Sequence, residues 1–174
     1  GLALHGHFLG MDQQVTVTGP ARVVVLGSTG SVGRQCLEVI QAYPERFEAV
    51  GLAAQRSVDA MLQQARRFKP KRLVMADEQA ARQLAQSLAS DDVVVEAGEE
   101  AIIDLVAGPE VDLVVAAVVG RAGLAGVHAA LRAGKRVAIA NKESLVMAGE
   151  VLMPLIRHGA ASLLPVASEH AALA

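Results

Sequence analysis

Val23-Val24-Val25-Leu26-Gly27-Ser28-Thr29-Gly30-Ser31-Val32-Gly33 decides how the rest of the chain reads. A β-branched apolar run ends on a glycine. Two more glycines follow at intervals of three, and an amphipathic helical pattern begins at Ser31. Strand, tight turn and helix N-terminus in that order form the phosphate-binding turn of dinucleotide sites. Gly27 permits the turn, Gly30 leaves the backbone open to an approaching diphosphate, and Gly33 lets the helix lie close to the sheet. The first N–H groups of a helix lack intrahelical partners, and the helix dipole adds to their attraction for an anion. The hydroxyls of Ser28, Thr29 and Ser31 are expected to add donors. The spacing is G-x-x-G-x-x-G rather than the commoner G-x-G-x-x-G, and a plain strand-to-helix turn could carry the same glycines.

The 174 residues suffice for one substantial core and hardly for two. With 52% hydrophobic and 20% charged residues, the composition fits a buried parallel sheet better than a disordered or fibrous chain. A net charge of −2, 2% aromatics and no Trp argue against a nucleic-acid partner, which needs basic or stacking surfaces. The single cysteine, Cys36, cannot form an internal disulfide, so a reducing, cytoplasmic setting is expected. It falls on the apolar helix face with Val32, Val39 and Ile40 and reads as core packing. No apolar run reaches membrane-spanning length, so no membrane partner is expected. Residues 1–20 read as a leader closed by Gly19-Pro20. Within it, 1–10 reads as an expression remnant, with His5 and His7, ahead of a native start at Met11.

Beyond the leader, short β-branched runs alternate with helical patterns. Strands are predicted at Arg22–Leu26, Glu48–Ala53, Arg72–Met75, Asp92–Val95, Asp112–Val118, Arg136–Ala140 and Ser162–Val166. Helices are predicted at Ser31–Tyr43, Val58–Phe68, Glu78–Leu88, Glu99–Val106, Leu124–Ala133 and Glu143–His158. Tyr43-Pro44, Lys69-Pro70, Gly108-Pro109 and Gly134 supply stop signals. Such alternation implies right-handed crossovers and an α/β, Rossmann-like, doubly wound and mostly parallel sheet with helices on both faces. Ligands of such sheets bind at the carboxyl ends of the strands, near the switch in strand order.

Three groups of polar residues fall at predicted strand ends. After the second strand comes Ala54-Gln55-Arg56-Ser57, with no acid before Asp59. An NAD site usually offers a carboxylate there, whereas Arg56 and Ser57 suit the 2′-phosphate of NADP. Asn141-Lys142-Glu143 follows the sixth strand. Lys142 can hold a phosphate or substrate oxygen and its neighbours can bond a ribose, although an ordinary helix N-terminus also fits. Pro165-Val166-Ala167-Ser168-Glu169-His170 follows the seventh. Its hydroxyl, carboxylate and imidazole suggest acid–base or metal chemistry, yet a single Glu is a poor Mg²⁺ site.

In their order these segments resemble the 1-deoxy-D-xylulose 5-phosphate reductoisomerase family, over nearly all of Arg22–Leu173. The matching stretches are Leu26–Gly33, Ala117-Val118-Val119-Gly120, Ala140–Val146 and, with one exception, Pro165–His170. The resemblance implies NADPH lying on Gly27, Thr29, Gly30, Ser31, Val32 and Gly33. Its 2′-phosphate is implied beside Ala54, Gln55, Arg56 and Ser57, and its ribose and nicotinamide side beside Ala117, Asn141 and Glu143. Lys142, Ser168 and Glu169 are implied as the catalytic and substrate-binding residues, with Glu169 also a ligand to Mg²⁺ or Mn²⁺. The family rearranges 1-deoxy-D-xylulose 5-phosphate and reduces the product with NADPH to 2-C-methyl-D-erythritol 4-phosphate, a step of non-mevalonate isoprenoid synthesis. Its members are homodimers.

Two departures stand out. Ala167 occupies the place of a metal-binding Asp in the family, and Gln55-Arg56 replaces the usual Gly-Lys. Family chains also continue well past this end, into further metal and phosphate ligands and a lid. The expected division is therefore 21–160 as the NADP-binding domain and 161–174 as the truncated start of the catalytic part. Alone, such a chain is expected to bind NADPH weakly and to be inactive. A non-catalytic NADP-binding sensor or regulatory module is the alternative, and another NADP-dependent reductase, such as a homoserine or semialdehyde dehydrogenase, would share the turn.

Overall fold

The computed structural model describes residues 19–118, 121–139 and the strand at 162–165. Among them seven strands form one sheet: β1 Ala21–Leu26, β2 Phe47–Ala54, β3 Arg72–Met75, β4 Val94–Ala97, β5 Leu113–Ala116, β6 Arg136–Ile139 and β7 Ser162–Pro165. The helices are α1 Ser31–Ala42, α2 Val58–Phe68, α3 Glu78–Ser87, α4 Glu99–Ala107 and α5 Arg121–Arg132. Every pairing is parallel and the order is β4-β3-β2-β1-β5-β6-β7. This is the α/β, Rossmann-like sheet expected. The order runs outward from β1 to β4, then returns through α4 to β5 on the other flank of β1, so the switch point lies between β1 and β5.

Alternation along β1 explains the layering. Val23 and Val25 bury against Leu37 and Ile40 of α1, Met61 of α2 and Leu84 of α3. Val24 and Leu26 bury against Ile102, Leu105 and Val106 of α4 and Val127 and Leu131 of α5. A strand puts successive side chains on opposite faces, so an all-apolar run is what a doubly covered strand requires. One irregularity breaks the register between β1 and β2. Val23 pairs with Ala49 but Val24 pairs with Gly51, leaving Val50 as an extra residue.

Three predicted elements shift, the fifth strand running over Leu113–Ala116 rather than Asp112–Val118. The fourth strand begins at Val94 rather than Asp92, because Asp91 and Asp92 belong to a turn in which the N–H of Val93 donates to Asp91 O. Glu96, an awkward residue for a strand, is paired with Arg72 of β3 at 2.8 Å. The helix predicted from Leu124 begins earlier, at Arg121. The predicted helix Glu143–His158 lies outside the described residues. Cys36 is half-buried against the layer under α1, as read from its position, and burial pushes its thiol pKa up.

The amino ends of the two switch-point strands are tied together. Arg22 Nε donates to Asp112 Oδ2 at 3.1 Å, Arg22 N donates to the same oxygen at 2.9 Å, and Asp112 N donates to Arg22 O at 2.9 Å. The Arg22 side-chain hydrogen bonds, opposed by desolvation, hold the Asp112 carboxyl below its ordinary pKa. A depressed folded value contributes stability that is whole above the unfolded carboxylate pKa of about 3.9 and is lost as pH falls through the lower folded value. Asp112→Asn is therefore expected to cost about 1 kcal/mol or less at pH 7, given how exposed the pair is, and nothing once the pH is below both values. Urea melts of both forms from pH 7 to pH 2 check this. A difference that persists undiminished at pH 2 would contradict the assignment.

Candidate nucleotide-binding site

The carboxyl ends of β1, β2 and β5 stand in register at Leu26, Ala53 and Ala116. The chain leaving β1 turns at once. Gly27 adopts φ +79°, and its N–H and that of Ser28 both donate to Ala53 O, at 2.8 and 3.1 Å. A side chain at Gly27 would meet Ala117 O at 2.9 Å and Val118 Cγ2 at 2.6 Å, so the turn is pressed against the segment leaving β5. Ala117 in turn donates its N–H to Leu26 O at 2.9 Å. The first turn and Ala117 are thus brought together, as the sequence reading expects.

Helix α1 then starts from Gly30, whose carbonyl accepts the first helical hydrogen bond, from Arg34 N at 2.9 Å. Among the described residues no side chain caps this end, and the N–H groups of Thr29, Ser31, Val32 and Gly33 meet no acceptor. Gly30 and Ser31 are exposed and Thr29 and Val32 half-buried. Among the described residues a Cβ at Gly30 would find only Gly27 O within 4 Å, at 3.7 Å. At Gly33 the opposite holds: its Cβ would fall 2.0 Å from Gly27 O. Gly33 thus admits the helix against the turn, whereas the space beside Gly30 is open among the described residues.

One expected donor is corrected. Ser28 is fully buried, and its hydroxyl lies 4.0 Å from the sulfur of Met61, beneath α2 rather than toward the open side. Its carbonyl accepts from Gln64 Nε2 at 2.8 Å. Neither Met61 nor Gln64 was singled out from the sequence. The available signal was a glutamine three residues after a methionine, on the stripe that α2 buries.

The end of β2 completes the described part of the site. Ala54 is buried, whereas Gln55, Arg56 and Ser57 are exposed, and Ser57 stands at the N-cap of α2. Arg56 enters no ion pair among the described residues. The segment after β3 stands alongside, with Asp77 N donating to Gln55 O at 3.0 Å and Ala76 N to Ala54 O at 2.9 Å. Asn141, Lys142, Glu143, Ala167, Ser168 and Glu169 lie outside the described residues. Among the described residues no three His, Cys, Asp or Glu side chains group as metal ligands, and no helix is long and apolar enough to cross a membrane.

A parallel sheet with a glycine turn and uncapped amides at its switch point defines a Rossmann-like domain of the dinucleotide-binding class. Comparison with known proteins is more specific. A profile of the 1-deoxy-D-xylulose 5-phosphate reductoisomerase family matches residues 23–149, and the chain belongs to that family. The reductoisomerase of Nitrosococcus oceani is 48% identical over 153 residues, covering 87% of this chain and 39% of that protein. The solved reductoisomerase of Zymomonas mobilis, a complex with NADPH, superposes with a TM-score of 0.78 at 39% identity, covering 84% of this chain and 38% of that one. A solved magnesium complex of the same enzyme type gives 0.80 at 38% identity, over 87% and 38% of the two chains. The chain thus spans about two-fifths of the length of these relatives.

Proposed function

We propose that this chain is the NADPH-binding part of a 1-deoxy-D-xylulose 5-phosphate reductoisomerase. The observation that carries the reading is the set of unpaired amides at the start of α1 around the open space at Gly30. On this reading Thr29, Gly30, Ser31 and Val32 hold the diphosphate through backbone N–H groups, with Gly27 and Gly33 shaping the turn. Ala54, Gln55, Arg56 and Ser57 surround the 2′-phosphate, Arg56 as a two-pronged charged donor and Ser57 through its hydroxyl. Ala117, Asn141 and Glu143 take the ribose and nicotinamide side. When bound, the cofactor supplies the hydride.

The substrate side of the reading rests on family membership. Lys142 and Ser168 bind the ketose phosphate and orient it. Glu169 is the one family metal-ligand position that this segment fills with an acid, because Ala167 replaces the neighbouring Asp. Magnesium and manganese want several oxygen ligands, and one carboxylate does not make such a site. Residues 21–160 form the nucleotide domain and 161–174 begin the catalytic part, with β7 laid parallel on β6. Alone, the chain is inactive. The whole enzyme is a cytoplasmic homodimer that engages neither nucleic acid nor membrane. Family membership speaks against the sensor or regulatory-module alternative.

Fluorescence titration tests the cofactor assignment. NADPH is expected to bind more tightly than NADH. Arg56→Ala is expected to weaken NADPH by about 10- to 100-fold, the worth of charge-assisted hydrogen bonds, and to leave NADH unchanged. Equal affinity for the two nucleotides in the unaltered chain would overturn it.

A further inference from the structure

Helix α2 buries Met61, Gln64 and Ala65. A glutamine on such a stripe is costly, and here only half of it is satisfied. Its Nε2 donates to Ser28 O at 2.8 Å, while its Oε1 is buried with no partner among the described residues. A methionine of similar length would fill the same place without an orphaned oxygen. Packing therefore does not account for the amide, and the bond it makes is the feature to explain.

That bond fixes a peptide plane. Ser28 O and the N–H of Thr29 belong to one peptide group, and among the described residues no peptide is cis. In a trans peptide the C=O and N–H point in opposite directions. Drawing Ser28 O toward α2 thus turns the Thr29 N–H away from α2, out of the buried layer. The preceding peptide is held as well, because the N–H of Ser28 donates to Ala53 O at 3.1 Å. Both peptides flanking Ser28 are therefore pinned, one by the sheet and one by Gln64.

From this we infer that Gln64 is a positioning residue for nucleotide binding: its side-chain amide locks the Ser28–Thr29 peptide so that the Thr29 N–H is presented to the diphosphate. The inference rests on the NADPH reading given above. It adds a mechanical link, because α2 also carries Ser57 at its N-terminus with Arg56 just before it. The helix that presents the 2′-phosphate donors is thus the one that sets the diphosphate donor.

Gln64→Met in the full chain tests it, with two kinds of reading. Without nucleotide, the N–H dipolar coupling of Thr29 in an aligned sample is expected to change, while those of α3 stay the same. With nucleotide, NADPH and NADH are both expected to weaken by about tenfold, one hydrogen bond's worth. Adenosine 2′-monophosphate, which lacks the diphosphate, is expected to keep its affinity. Arg56→Ala gives the complementary pattern, weakening NADPH and adenosine 2′-monophosphate but not NADH. An unchanged Thr29 coupling, unchanged dinucleotide affinity, or equal weakening of adenosine 2′-monophosphate would each overturn the proposal and leave the NADPH reading standing. An unaltered chain that binds neither dinucleotide removes that reading and this one with it. Should Gln64→Met not fold, Gln64→Asn, which keeps the amide but shortens its reach, takes the same readings with the same criteria.

Discussion

Alanine at position 33 is expected to destabilise the chain by about 3 kcal/mol or more, at the upper end of what one added methyl does in a packed interior. The new Cβ would stand 2.0 Å from Gly27 O, 2.8 Å from Ser28 Cα and 2.9 Å from Gly27 C. All three are backbone atoms, so no side chain can swing aside. The turn cannot retreat either, because Gly27 and Ser28 are hydrogen-bonded to Ala53 O. Helix α1 must then slide by more than an ångström, taking Leu37 and Ile40 away from the layer they share with Val23 and Val25. At about 2–4 °C per kcal/mol for a chain of this size, the melting temperature should fall by roughly 6–12 °C. Urea unfolding measures the loss directly, and a cost below about 1 kcal/mol would mean that helix and turn are not in this contact.

Valine at position 30 is expected to do the reverse: leave the fold intact and weaken binding severely. Gly30 has φ −77° and ψ 171°, an extended conformation open to any residue, and among the described residues its Cβ would meet nothing nearer than 3.7 Å. Losing glycine at a helix N-cap costs at most about 1 kcal/mol, and stiffening the unfolded chain returns about 0.4–1 kcal/mol, so stability should barely move. The added side chain would occupy the space that the diphosphate needs. Losing two charge-assisted amide contacts, at about 1.5–3 kcal/mol each, should weaken NADPH by more than about 100-fold. Calorimetric titration of the folded variant measures this. Retained affinity would place the diphosphate elsewhere.

Much of this was legible in the sequence because it depends on local chemistry. The β1 run is apolar on both of its faces, which only a doubly covered strand needs, and the proline and glycine stops ended α1, α2 and α4 within a residue or so of the signals. Gly27 was marked for a turn and does take positive φ. What could not be read depends on contacts distant along the chain. Ser28 looks like a donor in any glycine-rich turn. Its burial is decided by Met61 and Gln64, which arrive from another helix. Gln64 is likewise an ordinary helical glutamine until α2 is packed on the sheet. The start of β4 hung on whether Asp91-Asp92 would turn or extend, and the turn with Leu88 O and Asp91 O as acceptors decided it. The Asn141–Glu143 and Ser168–Glu169 groups rest on resemblance and family membership, since they lie outside the described residues.

The most direct measurement is an NADPH titration of ¹⁵N-labelled chain followed by amide chemical shifts. The largest movements are expected at the amides of Thr29, Ser31, Val32 and Gly33, with a second set at Arg56 and Ser57. Saturating shifts that leave those first amides unmoved, and appear instead in the outer groove between α1 and α2 lined by Arg34, Gln63 and Arg67, would contradict the amide cradle.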